Sequence, residues 1–192
     1  VFFIFFCTEA DNWAVFGTVK RLGKRGKHIV TTAVEHHAIL NCMKELEAQG
    51  YEVTYLQPDS MGRITADALK EALRKDTILV SIMMVNNEVG SVMPIAQMAK
   101  LTHKICPDAV FHTDAVQAYG KLPLSVEDGK IAMLSASAHK IGGPKGVGFL
   151  YVRRDVRLSS FLHGGAQEKR RRAGTENVPG IVGFAKAAEL TF

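Results

Sequence analysis

An α/β fold, a mainly parallel sheet with helices on both faces, is the architecture this sequence predicts. Three observations predict it. Strand-like and helix-like runs alternate along the chain. Successive strands are separated by roughly a helix length, which is the signature of βαβ units. And Thr77-Ile78-Leu79-Val80-Ser81-Ile82-Met83 is a continuous apolar run, as expected of a strand covered on both faces. The composition agrees: 192 residues, 47% hydrophobic and 22% charged, belong to a globular domain with enough apolar side chains for a sizeable core.

The elements follow in order. Val1-Phe2-Phe3-Ile4-Phe5-Phe6 reads as a buried strand. It has no initiator Met and no basic residue before it, and it is too short for a signal sequence or a membrane span. That start, and the end at Leu190-Thr191-Phe192 just after a helix-like run, make the chain read as a piece of a longer protein. His28 to Thr32 is strand-like, and His37 to Gln49 carries Ile39, Met43 and Leu46 at helical spacing before Gly50, a helix-stop residue. Tyr51 to Leu56 is a strand, and Pro58 and Gly62 mark a turn. Thr65 caps a helix to about Lys75 with Leu69 and Leu73 on one face. Pro94 opens another helix, with Ile95, Met98, Leu101 and Ile105 expected inward. Val110-Phe111-His112 and Ile131 to Leu134 are two more strands, and Gly148 to Val152 returns along the sheet.

Charge and cysteine usage narrow the function classes. The net charge of +5 is dispersed apart from Lys169-Arg170-Arg171-Arg172. No aromatic interleaving or nucleic-acid motif accompanies that run, so it reads as a solvated face or the rim of an anion site. RNA binding by Arg170 to Arg172 stays open as a rival. Cys7, Cys42 and Cys106 are far apart and lack C-x-x-C spacing, which argues for a reducing compartment and against a disulfide framework. His36, His37 and Cys42, or His103, Cys106 and His112, have no recognised metal-ligand spacing.

In open parallel sheets ligands bind outside the carboxyl ends of the strands. Four strand ends here carry chemically capable residues: Glu35, His36 and His37; Asn86, Asn87 and Glu88; Asp114 and Gln117; and Ser135, Ser137, His139 and Lys140. Lys140 stands at a strand mouth before Gly142, Gly143, Pro144, Gly146 and Gly148. Its amine can condense with an aldehyde when unprotonated, a state favoured by desolvation and by neighbouring cationic groups such as His139 and Lys145. Asp114 can pair with a protonated pyridine nitrogen or cap a helix. His36 can stack on a flat ring or move protons, and otherwise is a neutral histidine at a helix start. Asn87 can reach a ring hydroxyl or form an Asx-turn before Gly90. Ser137 and His139, with nearby amides, suit a phosphate. The glycine-rich stretch lacks the spacing of a P-loop.

Taken together, the motifs resemble the NifS/IscS-type cysteine desulfurases. Val34-Glu35-His36-His37-Ala38, Ile82-Met83-x-x-Asn86-Asn87-Glu88-x-Gly90, His112-x-Asp114-Ala115-x-Gln117 and Ser135-Ala136-Ser137-Ala138-His139-Lys140 carry the resemblance. So do Gly142-x-Pro144-Lys145-Gly146-Val147-Gly148, His163-Gly164-Gly165-x-Gln167-Glu168 and Arg172-Ala173-Gly174-Thr175-Glu176-Asn177, in order from Thr8 to Leu190. The resemblance implies a class V aminotransferase of pyridoxal-phosphate fold type I, dimeric, with residues 1–192 forming an incomplete large domain and the small C-terminal domain absent. It implies that Lys140 carries pyridoxal 5'-phosphate as an internal aldimine and moves protons, with His36 stacked on the ring and sharing in that proton transfer. Asp114 would hold the ring nitrogen, Asn87 and Gln117 the ring hydroxyl region, and Thr8, Ser137 and His139 the phosphate. Thr175 would reach the phosphate of a partner subunit.

The implied reaction converts L-cysteine to L-alanine and passes sulfur, as a persulfide on an enzyme cysteine, to an acceptor protein such as an iron–sulfur scaffold or sulfurtransferase. A cytoplasmic enzyme is expected, with organellar delivery left open, and neither nucleic acid nor membrane as partner. Two departures stand out. Phe5, Phe6 and Cys7 occupy a turn usually rich in Ser, Gly and Ala, and bulky rings there are expected to hinder the backbone's approach to a phosphate. Cys7, Cys42 and Cys106 match neither the context nor the position of the family's persulfide cysteine, and the late substrate-gripping arginine does not appear. The chain is therefore expected to hold cofactor without completing desulfuration. Selenocysteine lyase, or a non-catalytic desulfurase-like partner domain, remain alternatives.

Overall fold

The computed structural model describes residues 1–191; Phe192, the last residue of the end read as following a helix-like run, lies outside the described residues. Seven strands form one sheet in the order β1-β7-β6-β5-β4-β2-β3. Five are parallel: β2 (His28–Thr32), β3 (Glu52–Leu56), β4 (Thr77–Ser81), β5 (Val110–Asp114) and β6 (Met133–Ser137). Two antiparallel strands close one edge, β7 (Gly148–Val152) on β6 and β1 (Phe2–Ile4) on β7.

Helices cover both faces because the buried strands point alternate side chains to opposite sides. Ile29, Leu79 and Met133 join one core, with Trp13 and Ala14 of α1 (Cys7–Leu22) and Ile39, Met43 and Leu46 of α2 (His37–Ala48). Val30, Val80 and Leu134 join the other. There they meet Leu69 of α3 (Ala66–Ala72), Met98 of α4 (Ile95–Ile105) and Phe184 of α6 (Val178–Thr191). Between them lie a 3-10 turn at Ala138–Ile141 and a short turn, α5 (Gln167–Arg170), in which Glu168, Lys169 and Arg170 have positive φ.

Several expectations need correction. The first strand is shorter and lies at a sheet edge: Phe2 and Ile4 are buried, whereas Phe5 and Phe6 turn outward and stay about half exposed (48% and 53%). The helix α1 was not legible because its side chains are buried almost all round, leaving little periodic contrast. In α4 the inward face is Ile95, Met98, Ala99 and Thr102, an i, i+3, i+4, i+7 stripe; this leaves Leu101 half-buried and Ile105 41% exposed. The helix capped by the Thr65 hydroxyl, which accepts from the Ala68 amide at 3.1 Å, stops at Ala72 rather than near Lys75. Strands β5 and β6 run further than their apolar segments. Asp114 pairs with Ser135, and Ser137 with Gly148, so these polar residues end the strands from within.

Candidate active site

The carboxyl ends of β2, β4, β5 and β6 and the start of α1 open onto one cavity of about 470 Å³. Thr8, His36, Asn87, Asp114, Gln117, His139 and Lys140 all line it, with Phe6, Cys7, Met83, Glu88 and Val116. Seven residues drawn from separate sequence motifs therefore share a space of the size that holds small ligands. Ser137 is buried beside it, its hydroxyl 2.9 Å from His139 Nδ1. Thr175 is not in the cavity; it is exposed and lines a separate crevice with Phe5, Arg172 and Glu176.

Asp114 forms the floor. Its Oδ1 accepts the Val116 amide at 2.9 Å, and burial raises its proton affinity while His36 and Lys140 across the cavity oppose that. His36 forms a wall. It caps α2, accepting the Ala38 amide on Nδ1 at 3.1 Å, so the other ring nitrogen carries the proton in the neutral form. Lys140 sits exposed at the mouth, on the 3-10 turn that Gly142 (φ +80) closes. Desolvation, Lys140 and Lys145 together hold His139 below the ordinary histidine value.

The amino end of α1 supplies the remaining donors. Its first intrahelical bonds run from Glu9 and Ala10 to the Phe6 carbonyl, so the Cys7 and Thr8 amides precede them, where helix termini favour anions. Phe5 lies 4.5 Å beneath the Arg172 guanidinium, whereas Phe6 lines the cavity itself. Gly148 keeps the turn close to the sheet. A Cβ there would lie 2.7 Å from the Ala136 carbonyl and about 3.5 Å from the Phe6–Cys7 peptide.

Residues that stand in the motifs without an assigned ligand role build the support. Asn86 is buried and shapes the 86–90 loop, donating to the Val34 carbonyl and accepting the Glu88 and Val89 amides. Glu35 ties the ends of β2 and β4 together: Oε1 accepts from the Thr32 hydroxyl at 2.8 Å and the Met83 amide at 2.9 Å. Burial pushes its carboxyl up to about 8. Arg172 is 4% exposed and makes a two-pronged pair with Glu9 at 2.7 and 3.0 Å. It therefore leaves the basic run of 169–172 and serves as an internal brace. A buried arginine is invisible in a charge run; only its partner on α1 reveals it.

A carboxylate, an imidazole and an amine on three strand ends around one cavity, with helix-terminal amides beside them, form the donor set that a phosphorylated pyridine aldehyde requires. This is the large-domain architecture of the fold-type-I pyridoxal-phosphate enzymes. The aminotransferase class-V family model matches residues 1–191, and the chain belongs to that family, whose NifS-like members are pyridoxal 5'-phosphate enzymes. It is 51% identical over 183 residues to a cysteine desulfurase IscS of Methanosarcina thermophila, covering 95% of this chain and 45% of that protein. It is 53% identical over 185 residues to a cysteine desulfurase IscS of Anaeromyxobacter sp., covering 95% and 45%. Among solved structures, a NifS-like protein superposes with a TM-score of 0.96 at 43% identity, over 99% of this chain and 52% of that one. SspA in complex with cysteine superposes with a TM-score of 0.92, also at 43% identity, over 98% and 54%. The chain spans about half the length of the curated relatives it matches.

Proposed function

We propose that these residues form the large, cofactor-binding domain of a cysteine desulfurase that takes L-cysteine to L-alanine. The observation that carries this reading is the convergence of Lys140, His36 and Asp114 on one cavity beside the amino end of α1. The fit of the cofactor rests on the same observation: a buried carboxylate floor, an amine at the mouth and unspent amide donors. Bound there, pyridoxal 5'-phosphate supplies an aldehyde for the substrate amine and a ring that draws electrons from the substrate's carbon atoms.

This chain's residues do the rest. With the cofactor bound, the Lys140 amine would hold its aldehyde and would carry protons at the substrate carbon, with His36 as a second carrier. Asp114 would keep the ring nitrogen cationic. The His36 ring would cover the cofactor ring and limit water there. Asn87 and Gln117 would orient the ring hydroxyl; Thr8, Ser137 and His139 would hold the phosphate. Thr175, exposed beside the outward-facing Val178 and Val182, suits the phosphate of a second subunit in a homodimer.

The sulfur of L-cysteine leaves to an enzyme thiol as a persulfide, and a sulfur-acceptor protein takes it onward in a reducing, cytoplasmic setting. Cys42 and Cys106 are buried and cannot meet substrate. Burial, together with hydrogen bonds from the thiol to the Asp11 and Asp114 carboxyls, pushes Cys7 well up and disfavours the thiolate that a nucleophile needs. On this reading the accepting thiol is a further cysteine of the whole protein. Two related proteins support the substrate: the IscS of Methanosarcina thermophila is a cysteine desulfurase, and SspA has been solved with cysteine.

The test is Lys140→Ala. The cofactor-loaded protein should show the visible absorption of the lysine-joined cofactor, and the variant should lack it. An unchanged band in the variant overturns the assignment.

A further inference from the structure

Close to Asp114, and outside the cavity lining, lies a second carboxyl that the proposed reaction does not use. Asp11, on the second turn of α1, is completely buried. The Cys7 thiol one turn earlier bridges the pair, 3.3 Å from Asp11 Oδ2 and 3.8 Å from Asp114 Oδ1. One polar atom from each of Cys7, Asp11 and Asp114 falls within 4.8 Å of the other two.

The surroundings of the two carboxyls differ. Asp114 accepts a backbone amide and faces His36 and Lys140. Asp11 has neither aid: among the described residues its Oδ1 has no hydrogen-bond partner. The groups that face it are Cys7 on its own helix and the Ser135 hydroxyl on β6, whose hydrogen bonds favour its ionised form, together with Asp114 and His112 on β5, Cys42 on α2 and Glu35 after β2. His112 is 3.7 Å from Oδ1, but its ring nitrogens are engaged by Ser81 and Ser135 at 3.0 and 2.9 Å. Burial lowers this histidine to about 3, so it is a neutral imidazole and offers no positive charge. Two buried carboxyls so close do not readily both ionise, and the one that accepts a backbone amide and faces His36 and Lys140 keeps the charge.

We propose that Asp11 is a positioning residue that stays a neutral carboxylic acid at neutral pH, so that Asp114 alone is the anion facing the ring nitrogen of the cofactor. This rests on the reading of Asp114 given above. Its physical content is an asymmetric pair holding one proton: Asp11 keeps it, and the un-ionised Oδ1–H faces the neutral imidazole of His112. Asp11 thereby prevents the charge of Asp114 from being shared with, or cancelled by, a second carboxyl.

The experiment uses the full chain in two arms. Without cofactor, the infrared difference between wild type and Asp11→Asn at pH 7 should contain the carbonyl stretch of an un-ionised carboxyl. The melting temperature of wild type should also fall relative to Asp11→Asn as pH rises from 4 to 8. The sign follows from linkage: the unfolded carboxyl ionises near its ordinary value of 3.8, whereas the folded one retains its proton well above that, so folding costs more at higher pH. With cofactor, Asp11→Asn, which copies the neutral acid, should bind within about threefold of wild type, whereas Asp114→Asn should lose more than about tenfold, the scale expected for a charged contact. Absence of the un-ionised carbonyl signal overturns the proposal, as does a loss of cofactor in Asp11→Asn equal to that in Asp114→Asn. The first arm involves no cofactor, so it stands or falls separately from the Lys140→Ala test.

Discussion

Glu35→Gln offers the sharpest test of how burial sets the chemistry at the strand ends. The side chain is 5% exposed, and its carboxyl is pushed from an ordinary 4.5 up to about 8, with desolvation as the main cause. The Met83 amide and Thr32 hydroxyl pull the other way but do not win. The folded protein therefore holds a proton that the unfolded chain has lost at neutral pH. Each tenfold difference in proton affinity is worth about 1.4 kcal/mol. Between pH 4 and pH 7 the folded state should thus lose about 3 kcal/mol through this one group, and the loss should level off above pH 8 at about 4–5 kcal/mol. Glutamine keeps the Oε1 acceptor for Met83 and Thr32 and needs no proton. Urea denaturation of wild type and Glu35→Gln at pH 4, 7 and 8.5 measures the effect. The variant should be about equal to or less stable than wild type at pH 4 and gain on it by about 3 kcal/mol at pH 7. Parallel stability profiles across that range would show that Glu35 is ionised in the fold, and the burial argument would fail.

Other perturbations probe the supports of the site. Arg172→Met leaves the Glu9 carboxylate on the first turn of α1 without its guanidinium, and should cost about 3 kcal/mol. Combined with Glu9→Gln it should cost less than the sum of the two, as a double-mutant cycle by denaturation would reveal; additive losses would mean the pair does not couple. Gly148→Ala places a Cβ 2.7 Å from a backbone carbonyl and should destabilise by about 1–3 kcal/mol. It should also weaken cofactor binding, because the displaced strand carries the Phe6–Cys7 turn with it. Unchanged stability and cofactor titration would refute that coupling.

How much of this was legible beforehand depends on the kind of signal. Strands β2, β4 and β5 and the helices α2 and α4 announced themselves through apolar runs or 3.6-residue spacing. The ligand-facing residues did so because polar groups interrupted those runs at one edge of the sheet. Helix α1 gave no such contrast, since Trp13, Ala14, Val15 and Asp11 are buried around its whole circumference. Arg172 looked like part of a solvated basic run until its partner, 163 residues away, came into view.

The order of the motifs along the chain was enough to define the fold class, the family and seven of the residues that line the cavity, because each is a local pattern of residue types. What only the tertiary structure decided is the electrostatic state of the groups behind them. Asp11, Glu35 and His112 are ordinary titratable residues in the sequence. Their proton affinities are displaced because α1 and the sheet exclude water from around them and place the carboxyls close together. Exclusion of water and proximity in space are properties of the packed fold, and no local pattern of residues encodes them.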